Sequence, residues 1–345
     1  MTWKEYATGL EDRLEDLHGR VHRGAYRAQP CKRCWIPKAN GKQRPLGIAA
    51  LEDKIVQQAV VTVLNAIYER IFGGSSYGFR PGRGQHMALD ALYVAIKRKR
   101  VNWILDPDLK SFFDNISHEK LIQHVEQRIA DPRILRLIQK WLKAGVMEDG
   151  DWSETEAGTP QGAVSSPLLS NVYLHYVLDQ WTDQWRQAAR GEITIVRYAD
   201  DAILGFERQD EAERYLRELR EPLREYGLEL NEDKTRLIRF GRFAALNRAE
   251  RGEGKPEAFT FLGLQHICGK KQAGQVRGPT HYGWQTKAEE TAGTEAGATL
   301  ANARAECGGR RMAAERATRL LPIPCGSGES VDPVPIPASG GSPLV

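Results

Sequence analysis

The sequence predicts an α+β fold in which an antiparallel sheet is backed by helices, and three observations predict it. Two runs rich in β-branched and aromatic residues, Ile193-Thr194-Ile195-Val196-Arg197-Tyr198 and Ala202-Ile203-Leu204-Gly205-Phe206, flank a tight turn and read as a β-hairpin. An apolar run over 101–105 reads as a strand that leads into Asp106-Pro107-Asp108. The remaining order, strand, two helices, acidic hairpin, helix, strand, is that of a sheet with its helices packed against it.

Each element has a local reason. The first thirty residues read as a charged helix followed by a loop. Cys34-Trp35-Ile36-Pro37 and Pro45-Leu46-Gly47-Ile48 read as short strands around Ala39-Asn40-Gly41-Lys42, because Asn-Gly is a strong hairpin signal. Helical spacing begins at Asp53, with Ile55, Val56, Ala59, Val60, Val63, Leu64 and Ile67 on one core-facing side. A turn-rich stretch from Gly73 to Gly84 precedes a helix from about His86 to Lys99. Ile134, Leu135, Leu137, Ile138, Trp141 and Leu142 mark a later helix ended by Gly145. The loop Gly158-Thr159-Pro160-Gln161-Gly162-Ala163 opens onto a helix carrying Leu168, Leu169, Val172, Tyr173, Tyr176 and Val177. Glycine there permits close backbone approach to a ligand, and a helix N-terminus favours phosphate, although a plain turn before a core helix has the same composition. After the acidic hairpin, Leu216, Leu219, Leu223 and Tyr226 describe an amphipathic helix despite Pro222. Gly227 ends it, and Leu228-Glu229-Leu230 reads as a strand before Asn231-Glu232-Asp233-Lys234.

At 345 residues the chain is long enough for two or three domains or subdomains, and 41% hydrophobic with 27% charged residues is an ordinary globular composition. No run approaches the roughly 18 apolar residues of a membrane span. Met1-Thr2-Trp3-Lys4-Glu5 leads into charged sequence without a secretory apolar segment, so a cytoplasmic protein with no membrane partner is expected. A net charge of +4 permits a nucleic-acid partner without requiring one. Basic residues gather at Lys97-Arg98-Lys99-Arg100, at Arg80 and Arg83, and at Lys38, Lys42 and Arg44; the first run suits a helix C-terminus. Cys31-Lys32-Arg33-Cys34 is a lone CxxC without a second pair at zinc spacing and reads as a strand coincidence.

Tyr198-Ala199-Asp200-Asp201 carries the chemistry. Adjacent carboxylates repel, and a divalent cation is the usual compensation, against the simpler reading of a solvated polar turn. Asp108 supplies a third acid from a separate strand, as a nucleotidyl-transfer site holding two Mg²⁺ ions about 3.5–4 Å apart requires. The simpler reading of Asp108 is an exposed loop acid beside Pro107, and for Asp106 and Asp114 the sequence leaves that reading open beside a place among the site acids.

Taken in order, these motifs resemble the reverse transcriptases encoded by bacterial group II introns. The series is Ile36-Pro37-Lys38 through Arg44-Pro45-Leu46-Gly47-Ile48; Ser76-Tyr77-Gly78-Phe79-Arg80-Pro81-Gly82; Asp108-Leu109-Lys110-Ser111-Phe112-Phe113-Asp114; Gly158-Thr159-Pro160-Gln161-Gly162; Tyr198-Ala199-Asp200-Asp201; Gly227-Leu228-Glu229-Leu230 with Lys234; and Phe259-Thr260-Phe261-Leu262-Gly263. Seven ordered blocks are far more specific than any one, and they cover roughly residues 22–270. The resemblance implies the fingers and palm of a right-hand polymerase over 31–270, preceded by an N-terminal helix and loop over 1–30.

For individual positions the resemblance implies Asp108, Asp200 and Asp201 as catalytic acids and Mg²⁺ ligands, with the Leu109 carbonyl as a further ligand. Lys38 and Arg44 correspond to cations that neutralise the triphosphate. Phe113 corresponds to a bulky residue that selects deoxynucleotides against a ribose 2′-hydroxyl, although core packing explains it equally well. Gln161, Gly162 and Lys234 would lie at the incoming nucleotide. Tyr198 and the Phe261-Leu262-Gly263 turn would lie at the primer, and Arg80 at the template or fingers. The implied partners are an RNA template, a DNA primer, deoxynucleoside triphosphates and group II intron RNA.

The resemblance decays after Lys270. From Gln285 to Val345 there is no Phe, Trp or Tyr, although aromatic residues make up 8% of the chain, and the end is proline-rich. Such a composition does not bury enough apolar surface to order itself, so 271–345 is expected to be a degenerate, disordered tail where the family has a basic helical thumb and maturase region. A frameshift near 271–285 would produce this change. The chain also begins late for the family, and it carries no His-Asn-His motif, so endonuclease activity is not expected. The rival expectations are a non-catalytic RNA-binding maturase, an inactive remnant, and an RNA polymerase.

Overall fold

Strands form at β1 (Cys31–Pro37), β2 (Gln43–Ile48), β3 (Trp103–Asp106), β4 (Val146–Glu148), β5 (Asp151–Ser153), β6 (Ile193–Tyr198), β7 (Asp201–Phe206), β8 (Arg236–Arg239), β9 (Phe259–Phe261), β10 (Leu264–Lys270) and β11 (Tyr282–Ala288). The computed structural model describes residues 2–37, 41, 43–241, 243–270 and 282–288, all within the unit Met1–Thr294. The strands make three sheets, ordered β2-β1-β4-β5, β6-β7-β3-β8 and β11-β10-β9. No helix among the described residues is long and apolar enough to cross a membrane.

The central sheet, β6-β7-β3-β8, is antiparallel throughout and covered on both faces. Ile193, Ile195, Leu204 and Phe206 turn to a core shared with the helices Leu51–Tyr68, His118–Glu126, Pro132–Leu142, Ser166–Leu174 and Gln209–Glu218. Val196, Ile203, Ile104 and Ile238 turn the other way, onto Ala88, Leu92 and Ile96 of the helix Gln85–Arg98 and onto Phe259 and Phe261. Burial on both sides is why these strands read as nearly continuous apolar runs rather than as alternation.

Several expectations are corrected. Leu228-Glu229-Leu230 is not a strand: one isolated bridge joins Leu230 to Leu109, and the chain turns at Asn231, whose carbonyl accepts from the amides of Lys234 and Thr235. The edge strand is Arg236–Arg239 instead, and its charged ends hid it. The helix expected around Leu216–Tyr226 begins at Gln209 and divides into Gln209–Glu218 and Arg220–Glu225; Pro222 has no N–H for the Glu218 carbonyl, so the bond that would span the junction is missing. The helix after Gly162 runs on beyond Val177 through a π-helical turn, His175–Asp179, into Gln180–Gln187. The helix His118–Glu126 and the small strands β4 and β5 were not expected. Within the segment expected to lack order, Tyr282–Ala288 pairs antiparallel with β10; 271–281 and 289–345 lie outside the described residues. Cys31 and Cys34, three apart on β1, point to opposite faces and are free thiols, as a strand coincidence requires.

Candidate active site

The acidic hairpin is set by sequence and then locked from behind. Tyr198 pairs with Asp201, leaving Ala199 and Asp200 as a two-residue turn in which Ala199 takes a left-handed φ of +57°. A non-glycine residue there is strained by about 1–2 kcal/mol. Arg197 compensates. Its side chain is fully buried, and it donates to the Ala199 carbonyl at 2.8 Å, to Asn171 Oδ1 at 2.9 Å and to both carboxylate oxygens of Asp179 at 2.8 and 2.6 Å. Burial alone would raise the Asp179 carboxyl, but the guanidinium beside it overrides that and holds it below its ordinary value. The π-helical turn ends at Asp179, the kind of irregularity found at functional sites.

Asp108 reaches the hairpin through sheet register. Leu105 lies opposite Leu204 on β7 and opposite Leu237 on β8. Continued three residues past the strand, these registers bring Asp108 level with Asp201 on one side and Lys234 on the other. Lys234 Nζ stands 3.3 Å from Asp108 Oδ2. The segment beyond β3 is held by the amide of Asn231 donating to the Asp108 carbonyl at 2.8 Å and that of Lys110 donating to the Glu229 carbonyl at 2.9 Å. This bridge does not use the Leu109 carbonyl.

Asp106, which the sequence leaves open, is placed by the fold. It ends β3 opposite Arg236 and belongs to the acidic group rather than to an exposed loop. Two residues before Asp108, it shares that residue's side of the extended chain, a spacing the sequence already contained. Burial pushes the Asp106 carboxyl up to about 6, with Asp108 adding to the push and Arg236 opposing it. Desolvation by the walls of the site also pushes Asp201 up to about 6, followed by the charges of Asp200, Asp106 and Asp108. Burial raises Asp200 as well, against its own backbone hydrogen bond and the cation of Arg44.

This donor set fits Mg²⁺. Among the described residues no three metal-ligating side chains close into a preformed cage. Mg²⁺ does not need one, because it typically takes one or two carboxylates and completes its shell with water and substrate phosphate. Burial first and neighbouring carboxylates second raise Asp106, Asp200 and Asp201, and a bound cation would offset both.

On the fingers side, Arg44 Nε donates to Gln161 Oε1 at 2.7 Å, and the Gly47 amide donates to the Gln161 carbonyl at 2.6 Å. Gly162 has φ +105°, and a Cβ there would meet Leu46 Cδ1 at 2.9 Å and the Gly47 carbonyl at 3.0 Å, so glycine is required for this approach. The structure therefore brings Arg44, Gln161 and Gly162 together. Phe113 is buried in the main core beside Phe112, and its carbonyl accepts from the Thr159 amide at 2.8 Å, next to this loop. Leu262 and Gly263 form a two-residue turn between β9 and β10 with both φ positive, as a tight hairpin requires. Gln85 Nε2 donates to the Leu262 carbonyl at 2.7 Å, while Phe261 is buried. Lys38 lies outside the described residues.

Arg80 is a correction. Its guanidinium is 2% exposed and bonded to Glu69 and to the carbonyls of Gly73 and Ser76, over the Phe72 ring. It holds the 73–80 loop together and presents no cation to a template. Arg197, Asp179 and Asn171 were missed; their signal is a cation inside an otherwise apolar strand, which must find a buried partner.

Comparison with known proteins agrees with this geometry. Residues 36–266 match the family model described as reverse transcriptase (RNA-dependent DNA polymerase). Protein YkfC of Escherichia coli is 34% identical over 297 residues, covering 76% of this chain and 74% of that protein. The group II intron-encoded protein LtrA of Lactococcus lactis is 42% identical over 168 residues, 48% of this chain but 27% of LtrA, so the match spans about a quarter of that relative. Among solved structures, an apo telomerase from Candida tropicalis, truncated from its C-terminal domain, superposes with a TM-score of 0.54 at 15% identity, covering 75% of this chain and 55% of that one. Identity that low speaks to the fold alone. The family match, the relatives and the acidic hairpin agree: this chain belongs to the reverse transcriptase family, in its group II intron-encoded reverse transcriptase/maturase branch.

Proposed function

We propose that the chain is an RNA-directed DNA polymerase that adds deoxynucleotides to a primer 3′-hydroxyl on an RNA template. The observation that carries this reading is the gathering of Asp106, Asp108, Asp200 and Asp201 at one end of the central sheet, with Lys234 against Asp108 and Arg44 close enough to favour ionised Asp200 and Asp201. Two Mg²⁺ ions held by Asp108, Asp200, Asp201 and the Leu109 carbonyl would supply activation of the 3′-hydroxyl and neutralisation of the leaving pyrophosphate.

The protein's own side chains bind and orient. Arg44 spends its Nε–H on Gln161 and keeps its terminal N–H groups for triphosphate oxygens, with Lys38 as a second cation and Lys234 countering phosphate charge beside Asp108. Gln161 and Gly162 border the incoming nucleotide. Phe113 is the floor of the sugar site, where its ring would exclude a ribose 2′-hydroxyl. Tyr198 and the Phe261-Leu262-Gly263 turn bear on the primer.

The test is extension of a DNA primer on an RNA template with Mg²⁺, supplied with either deoxynucleotides or ribonucleotides. Extension with deoxynucleotides, and increased ribonucleotide use by Phe113→Ala, are expected. No extension by folded protein would contradict the reading. A second reading, intron-RNA binding as a maturase, is favoured by relatives such as the nuclear intron maturase 4 of Arabidopsis thaliana, 30% identical over 123 residues. Intron-RNA binding without extension would favour it.

A further inference from the structure

One half-exposed aromatic stands on the loop that abuts the acidic hairpin. Phe79 is 52% exposed, yet its backbone sits at φ +56°, a conformation that is a genuine outlier for a bulky side chain. Single exposed apolar residues are ordinary, but a strained one held from several sides is not.

The loop around Phe79 is fixed at every neighbouring residue. The Tyr77 amide donates to the Arg197 carbonyl at 2.8 Å. The Gly78 carbonyl accepts from Asn171 Nδ2 at 2.7 Å, and Gly78 lies so close to the backbone of Ala199 that any Cβ would collide. Arg80 is clamped in the interior. The Asn171 that holds Gly78 also receives Arg197, so one buried network fixes both the catalytic turn and the loop bearing Phe79. The result is an aromatic ring presented to solvent with its centroid 6.2 Å from the ring of Tyr198, at 47°. The loop then continues to Gln85, which bonds the Leu262 turn. Phe79 therefore lies on a segment running from the acidic hairpin to the turn that the preceding reading places at the primer.

We propose that Phe79 is a stacking platform for the nucleobase at the primer 3′ end, a binding residue that together with Tyr198 seats the terminal base beside the catalytic acids. The inference rests on the polymerase reading above and deepens it. Any base has a π-face, so the contact would be tolerant of sequence, and a pre-strained backbone would keep the ring from turning into the core.

The experiment measures binding without nucleotides, on an RNA template annealed to a DNA primer carrying 2-aminopurine at its 3′ end. A second duplex carries the probe at the opposing template position. Wild-type protein should quench the primer probe. Phe79→Gly, which relieves the backbone strain, should unfold at the same or a higher temperature yet bind about tenfold more weakly with the primer quench lost. Phe79→Trp should retain both affinity and quench. The salt dependence should be the same in all three, because phosphate contacts are untouched. Phe79→Gly binding and quenching like the wild type overturns the inference, as does a response confined to the template probe. A wild-type chain that binds no duplex overturns the polymerase reading itself, and the inference with it, before any variant is compared.

Discussion

The two hairpins that serve this site are built in opposite ways. β6 and β7 are buried almost from end to end, and their turn is fixed by Arg197, Asp179 and Asn171. β1 and β2 are mostly exposed or half-buried, with Trp35 and Ile36 each 46% exposed. Their ties to the rest include the Cys31 amide on the Gly145 carbonyl and the Gly47 and Arg44 contacts to Gln161. The proposed catalytic acids therefore stand on an over-determined element, whereas Arg44, the proposed triphosphate cation, stands on one with little buried surface. Few buried contacts make local opening inexpensive, which would suit the proposed release of pyrophosphate and entry of the next nucleotide.

Breaking the rigid side should cost most. Arg197→Met strands a buried Asp179 carboxylate, an event typically worth about 3–5 kcal/mol, and it removes the donor that holds Ala199. Chemical denaturation should show the loss. Pairing it with Asp179→Leu should restore much of the stability but not primer extension, since the Ala199 carbonyl stays unheld. Recovery of activity in that double variant would show that the network serves folding alone.

The sparsely buried side should respond in substrate affinity. Arg44→Ala and Gln161→Ala are each expected to raise the KM for deoxynucleotides about tenfold, with unfolding free energies within about 0.5 kcal/mol of wild type, as for ordinary surface substitutions. A large fall in stability with unchanged KM would place these residues in the scaffold instead.

What could be read in advance follows the same division. The β6–β7 hairpin was legible because β-branched runs meet a two-residue acidic turn, and Asp108 because an apolar strand ran into it. Asp106 stayed open because Pro107 suggested a loop, although its period-two spacing from Asp108 was visible. Arg80 was placed at the template or fingers by resemblance alone; only the fold shows Glu69 bonded to it. The β8 strand escaped because Arg236 and Arg239 bracket two apolar residues, too short a run to show a period. Register and burial are long-range properties, and short sequence patterns do not contain them.

A smaller effect separates the acids from their surroundings by pH. Asp201 and Asp106 titrate near 6 in the folded protein, above the ordinary Asp value of 3.8. Between about pH 4 and 6 the folded chain thus binds more protons than the unfolded one, so these groups make stability fall as pH rises through that window and remain lowered above it. Asp201→Asn should raise stability above pH 6 and flatten the profile below it. The gain should be at most about 1 kcal/mol, because Asp201, although the walls of the site desolvate part of its carboxyl, keeps an exposed side where solvent screens its charge. Mg²⁺ should raise the melting temperature of the wild type by relieving the same repulsion, EDTA should reverse it, and Asp108→Asn should blunt the response. A wild-type melting temperature indifferent to Mg²⁺ across this range would count against a cation site at these acids.

The most direct test of the polymerase assignment is single-turnover incorporation of one deoxynucleotide on an RNA template by wild type and Asp200→Asn, with thermal unfolding measured on the same preparations. The variant is expected to lose at least about 10³-fold in rate, as removal of several kcal/mol of metal-dependent transition-state stabilisation requires, while melting at the same or a higher temperature. Incorporation by folded Asp200→Asn at the wild-type rate would contradict that assignment.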